Sequence, residues 1–388
     1  MRRTGKMAKN VPSSAHVQRW ARGQPTRSST ERGVPKLVTY LLLLVPLSVV
    51  LAFGGAPSLW VFAVATAAIA PLAEWLRRAT EQLTARAGSA VGGLLNVTLG
   101  NMTELILALF VLMAGKSSIV KATITGSMIG NSLLGLGLAI LVGSWRRHIQ
   151  TFKRERAGLL ANLLILSAIA LLLPALFHYT ERSIIAIPNA RAPDERLSLS
   201  VAVLLILAYL ANLVHTLVTH RDIFATDEGS GHARWPLATT LAVLIGATSA
   251  IAVEAEFISG AIEAAAQTLG LSSFFLGLIV LPLIGNVTEY FTAVAFARDG
   301  QMDLVMSITV GSSIQIALMT APALVLISYA IGRPMNLVFA NPLELMAIVG
   351  VAFTVNAIAQ DGQTTWFEGL LLLVVYLLLA LAFFFLTT

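Results

Sequence analysis

Gly100-Asn101-Met102-Thr103-Glu104 places a carboxylate in the middle of an apolar stretch, and Gly285-Asn286-Val287-Thr288-Glu289 does so a second time. Glu289 follows Glu104 by 185 positions, and at that offset Ala108 matches Ala293, Val120 matches Val305, and Gly126-Ser127-x-Ile129 matches Gly311-Ser312-x-Ile314. One offset held over about 30 positions is an internal repeat, and in a membrane chain two copies of one unit place the working site at their interface.

The composition is that of an integral membrane protein: 56% hydrophobic and 12% charged residues, with a mean hydropathy of +0.80, where a soluble domain carries about 25% charged residues. A water-soluble enzyme is excluded on those grounds. Cys is absent, which removes disulfides, thiolate zinc sites and cysteine nucleophiles.

Residues 1–35 are Arg-rich, Ser-rich and nearly free of acids, and read as a disordered cytoplasmic tail; an organellar transit peptide has the same composition. The tail holds no apolar core of signal-peptide length. From Leu37 onward eleven apolar stretches follow, near 37–54, 58–76, 91–114, 117–143, 156–177, 198–220, 236–258, 269–298, 303–331, 339–359 and 366–386. Each is long enough for a ~30 Å hydrocarbon layer at 1.5 Å per residue, and within a bilayer such stretches read as helices.

Threading these spans from a cytoplasmic N-terminus puts 20 of the 26 Lys and Arg on the cytoplasmic side, including Arg77, Arg78, Arg86 and Arg147, and leaves Lys116, Lys121, Arg182, Arg191, Arg196 and Arg333 outside. The positive-inside rule therefore favours this orientation and an odd number of helices, with the C-terminus outside. The helix of Glu104 then runs outward and the helix of Glu289 inward. The predicted fold is all-α: an extra transmembrane helix at 36–54, a first five-helix repeat at 55–220, a cytoplasmic linker at 221–235, and an inverted second repeat at 236–388.

A Glu at the centre of a membrane helix costs a few kcal/mol on insertion scales and faces the bundle interior or a water-filled path. Neither motif helix offers a Lys or Arg nearby in sequence, so the two carboxylates are expected to converge without a protein cation to neutralise them. Asn101 and Asn286 each lie three residues before the Glu and share its face. Gly100 and Gly285 let the helix open and turn carbonyls toward a ligand. On the following helices, Ser127 with Asn131 and Ser312 with Gln315 can each present oxygens on one face. The donor set is oxygen only, which suits a hard cation such as Ca²⁺ with its six to eight ligands. Two carboxylates in a partly dehydrated site hold protons near neutral pH that a divalent cation must displace, so proton and metal compete for one site.

A second echo, Glu74 with Glu81 and Glu256 with Glu263, offers entrance carboxylates that gather cations, or simply acids solvated at helix ends. No catalytic residues are expected. A hydrolase would need a nucleophile and base or a histidine metal set, whereas His148, His178, His215, His220 and His232 lie at or near helix ends and His16 lies in the tail. A cation channel would also place carboxylates on a pathway, but an inverted pair argues for a transporter.

The residues resemble those of the calcium/proton exchangers, the CAX family of cation antiporters. GGLLNVTLGNMTELILALFVLMAGKSSIVKATITGSMIGN, Gly92 to Asn131, is similar to the family's first signature region, and GLIVLPLIGNVTEYFTAVAFARDGQMDLVMSITVGSSIQIAL, Gly277 to Leu318, to its second. The resemblance implies export of cytoplasmic Ca²⁺ against protons by alternating access, with Glu104 and Glu289 binding metal or proton in turn and Asn101, Asn286, Ser127, Ser312 and Gln315 lining the site. The same machine with Mn²⁺ or Na⁺ as substrate, or Na⁺ as counter-ion, is the alternative. It implies Ca²⁺ as a transported substrate with no permanently bound cofactor, no nucleic-acid partner, a lipid surround, and a bacterial inner membrane, or else a vacuolar one; an oligomer is not indicated. Two features depart from the pattern. Tyr290 stands where the family usually has His, which removes a group titrating near neutral pH and makes position 290 a candidate for pH tuning, and the linker's Asp222, Asp227 and Glu228 form a weaker acidic run than the family's.

Overall fold

The computed structural model describes residues 36–145, 147–181, 191–219, 233–339 and 341–387. The tail 1–35 and the linker through residue 232, with His16, His220, Asp222, Asp227, Glu228 and His232, lie outside the described residues. Helices run in the order α1 Leu37–Phe53, α2 Ser58–Gly100, α3 Met102–Met113, α4 Ser117–Ser144, α5 Arg154–Thr180, α6 Arg191–Val214, α7 Leu237–Leu269, α8 Ser273–Gly285, α9 Val287–Asp299, α10 Met302–Ala330, α11 Pro342–Asp361 and α12 Trp366–Thr387. Two short strands, β1 Gln150–Thr151 and β2 Gln363–Thr364, pair antiparallel and clip the α4–α5 turn to the α11–α12 turn.

Among the described residues eight helices are long and apolar enough to cross a membrane, or nine when α8 and α9, bent by 50° at their junction, count as one span. The remaining expected spans are shorter pieces. α1 is one of them, and the other is α3, which follows directly on α2. A Cβ on Gly92 would stand 3.6 Å from Thr84 Cα, although eight residues of straight helix advance about 12 Å, so α2 is sharply bent there. The expected spans at 58–76 and 91–114 are accordingly one bent helix followed by a break at Asn101 and a half-helix.

α4 and α10 are the most enclosed spans, with 78% and 67% of their apolar windows buried, against 28% for both α7 and α12. The two Gly-Ser helices of the repeat therefore form the centre. Each carries a π-helical turn, at Gly130–Gly135 and Ile316–Thr320, a local widening that recurs at functional sites. Ser132 Oγ and Ser313 Oγ meet at 2.8 Å where the two spans touch.

Small residues set the closest approach. A Cβ on Gly126 would collide with the Leu278 carbonyl, and one on Gly277 would fall 2.7 Å from Ile119 Cγ2; only glycine at both places lets α4 and α8 come backbone to backbone. That crossing brings Ser127 beside the α8–α9 break. On the periphery α7 packs along α2 and α3, and α1 is tied to α7 by a hydrogen bond from Ser48 Oγ to the buried Glu254 Oε1, 2.7 Å. The start of α7 is docked on α2: Gln82 Oε1 accepts from the Arg234 and Trp235 amides, and Trp75 packs on Trp235.

Candidate cation site

Both Gly-Asn motifs are helix breaks. Asn101, at φ −103° and ψ 26°, ends α2 and leads into α3, and Asn286, at φ −96° and ψ 6°, ends α8 and leads into α9. Neither Asn side chain caps its helix, so both amides are free to point elsewhere. Each break places its Glu in the first turn of a new half-helix, where unpaired backbone N–H groups and the positive end of the helix dipole favour a carboxylate.

The motif residues of each copy reach across to the other copy. Asn101 Nδ2 donates to the Ser312 carbonyl at 3.4 Å. Asn286 Nδ2 donates to Ser127 Oγ at 3.3 Å and to Pro282 O at 2.8 Å, while its Oδ1 accepts from Asn131 Nδ2 at 3.1 Å. Glu104 Oε1 lies over Gly285, 3.9 Å from where a Cβ would stand, and Gln315 Oε1 lies over Gly100 at 3.8 Å in the same sense. Ser312 hydrogen-bonds the Glu289 carboxylate, which also feels the charge of Glu104. All ten expected ligand residues, Gly100, Asn101, Glu104, Ser127, Asn131, Gly285, Asn286, Glu289, Ser312 and Gln315, are thus drawn into one region around the two breaks.

Among the described residues, four buried oxygens in that region find no hydrogen-bond donor: Asn101 Oδ1, Glu104 Oε2, Asn131 Oδ1 and Glu289 Oε2. Native interiors rarely leave an acceptor in that condition, and four such acceptors, the matched pair Glu104 and Glu289 among them, fit a positively charged guest. Among the described residues no group of three His, Asp or Glu stands together, so any cation held here is coordinated by two carboxylates supplemented by amide, hydroxyl and carbonyl oxygens.

Three of the four expected entrance acids, Glu74, Glu81 and Glu263, are paired. Glu74 takes Arg77 Nε and Nη2, both at 2.9 Å, and Arg78 Nε at 2.6 Å, while Glu81 takes Arg77 Nη1. Glu263 pairs with Lys116 at 3.2 Å, and Glu256 is exposed. His178 pairs with Asp194.

Arg77 corrects one expectation. No cation is near the motif in sequence, yet in space the Arg77 guanidinium interacts electrostatically with Glu289. Its only signal in the chain is its place between Glu74 and Glu81. Tyr209 was also missed; it comes up from α6 beside Gln315, and a lone Tyr in an apolar helix gives no signal. Tyr290 packs its ring against the π-helical turn, where a Cβ on Gly135 would stand 2.7 Å from Tyr290 Cδ1 and one on Gly130 would stand 2.5 Å from its hydroxyl. That hydroxyl is buried and finds no partner among the described residues.

Residues 57–218 and 239–385 match the sodium/calcium exchanger protein family. A Ca²⁺/H⁺ antiporter of Synechocystis is 41% identical over 368 residues, covering 90% of this chain and 97% of that one. The Ca²⁺/H⁺ antiporter ChaA of Bacillus subtilis is 37% identical over 346 residues, covering 88% and 96%. The solved structure of native YfkE superimposes with a TM-score of 0.77 at 34% identity, covering 90% of this chain and 99% of that one. Matched along nearly its whole described length by transporters rather than enzymes, the chain belongs to the sodium/calcium exchanger family, in its calcium/proton exchanger branch.

Proposed function

We propose that this protein exports cytoplasmic Ca²⁺ in exchange for protons, with Glu104 and Glu289 occupied in turn by the metal and by protons. The observation that carries the reading is the set of four donorless, buried acceptor oxygens at the two helix breaks. Relatives named as Ca²⁺/H⁺ antiporters support the choice of ions.

In this reading Ca²⁺ is substrate, not cofactor. Glu104 Oε2 and Glu289 Oε2 supply the charge, Asn101 Oδ1 and Asn131 Oδ1 supply neutral oxygens, and the remaining shell comes from Ser127, Ser312, Gln315 and carbonyls freed at Gly100 and Gly285. Occupancy is exclusive. A divalent ion neutralises both carboxylates, and two protons do the same, so either state presents an uncharged site to the hydrocarbon and can cross between the two faces. Neither a lone proton nor an empty pair of anions does so, and this ties outward metal movement to inward proton movement. The two copies stand inverted in the membrane, as one extra helix and two five-helix halves with cytoplasmic N-terminus and external C-terminus. The positive-inside count supports that orientation.

Inside-out vesicles carrying the protein are expected to take up ⁴⁵Ca²⁺ when their interior is acid and not when the gradient is collapsed. Glu104→Gln and Glu289→Gln keep the size but not the charge, and each is expected to lower uptake by about 100-fold or more, since each carboxylate is both ligand and proton acceptor. Near-normal uptake by either variant, or uptake indifferent to the gradient, would overturn the proposal. Mn²⁺, Na⁺ and K⁺ as competitors in the same assay rank the ions.

A further inference from the structure

α5 and α11 pack side by side, and between them lies a cavity of about 550 Å³, lined from α5 by Arg154, Glu155, Gly158 and Asn162 and from α11 by Asn356 and Gln360. The β1–β2 clip stands at its Arg154 end: Phe152 N donates to Gly362 O at 3.0 Å, and a Cβ on Gly362 would stand 3.3 Å from Arg154 Cβ. A Cβ on Gly158 would meet nothing within 4 Å, so the groove is open over α5 at that point.

The outward stripes of both helices change character at this groove. On α5 the exposed stripe is Leu176, Leu173, Ile169 and Leu166, and the same three- and four-residue steps carry it on to Asn162, Gly158 and Glu155. On α11 the exposed Met346 and Phe353 lead by the same steps to Asn356 and Gln360. Asn162 lies about 12 Å along α5 from Arg154, deeper than the roughly 5–8 Å of one interfacial layer. Among the described residues the side chains of Asn162, Asn356 and Gln360 make no hydrogen bond, and Arg154 and Glu155 make no ion pair. Carboxamides on a hydrocarbon-facing stripe are costly without partners, so the groove calls for a polar guest that reaches from headgroup level down toward the acyl chains.

We infer that this groove is a lipid site that seats the headgroup of one phospholipid of the adjoining leaflet, of the phosphoethanolamine type. The Arg154 fork takes the phosphate, Glu155 takes the free ammonium, and the amides of Asn162 and Asn356 donate to the ester oxygens below. The lining carries one charge of each sign, which complements a zwitterion with N–H donors and not a purely anionic headgroup. The positive-inside count puts this leaflet on the cytoplasmic side.

The test is native mass spectrometry of the full chain in detergent, titrated with phosphatidylethanolamine, phosphatidylglycerol or phosphatidylcholine of matched acyl chains. The wild type is expected to bind phosphatidylethanolamine about fivefold or more tighter than either of the others. Arg154→Gln is expected to weaken that binding about tenfold, and Glu155→Gln to remove the preference over phosphatidylglycerol. Gly158→Leu fills the groove without altering a polar group, and Asn162→Leu with Asn356→Leu extends the apolar stripes; each is expected to weaken binding about tenfold. Equal affinity for the three lipids, or binding of phosphatidylethanolamine unchanged by Gly158→Leu, would overturn the inference. So would a cross-link between copies through Gln360→Cys, in a chain with no other Cys, since the groove would then be an interface between copies. Should a groove variant fail to fold, the headgroup preference of the wild type and its loss in Glu155→Gln decide the matter. None of these readouts depends on transport, so they stand apart from the exchange proposal.

Discussion

Tyr290 follows directly on Glu289 and fills the groove that Gly130 and Gly135 leave in the π-helical turn of α4. Its hydroxyl finds no partner among the described residues, so Tyr290→Phe is expected to leave transport and stability near wild type. A His in the same place is another matter. Free imidazole titrates near pH 6.5, whereas a phenol titrates near 10, and position 290 is electrostatically coupled to both Glu104 and Glu289. An imidazolium there opposes a divalent cation; a neutral phenol does not. The sign follows directly: His gains its charge as pH falls, so Tyr290→His is expected to lose Ca²⁺ uptake between about pH 7.5 and 6, where the native protein retains it, and to match it above about pH 8. Uptake profiles measured from pH 5.5 to 8.5 check this, and superimposable curves would show that position 290 takes no part in the titration.

At the scale of the helix, what the sequence made legible is what depends on periodicity and repetition. Gly100 and Gly285 mark where a helix can open, and both motifs are breaks with the Glu in the first turn beyond. The pairing of Ser127 with Asn131 and of Ser312 with Gln315 follows from helical spacing, and all four residues lie at the two breaks. Other features could not be read this way. The sharp bend of α2 near Gly92 has no proline to announce it, and the eleven apolar stretches give no hint that one is a bent continuation and another a 50° broken pair. The approach of α4 to α8 at Gly126 and Gly277 depends on two glycines far apart in the chain, and composition cannot say which glycines face each other. Arg77 escaped for the same reason: it was counted among the cytoplasmic positive charges, and only packing of α9 against α2 brings it to Glu289.

For the whole molecule, the inverted pair, the bilayer orientation and the exchange cycle form one proposal, because each requires the others. If the copies are inverted, the number of spans is odd and the termini lie on opposite faces. A C-terminal reporter that fluoresces only in the cytoplasm is therefore expected to stay dark, and a bright signal from the intact protein would require the inversion to be withdrawn. The β1–β2 ladder fits the same threading, since it joins two turns that both fall on the cytoplasmic side. The central claim is that proton and Ca²⁺ compete for the same two carboxylates, and calorimetry tests it most directly. Titrating Ca²⁺ into the purified protein near neutral pH, in two buffers of different ionisation enthalpy, counts the protons released on binding. The account predicts release of about one to two protons per Ca²⁺, with fewer from Glu104→Gln or Glu289→Gln wherever binding survives; Ca²⁺ bound with no proton released would contradict it.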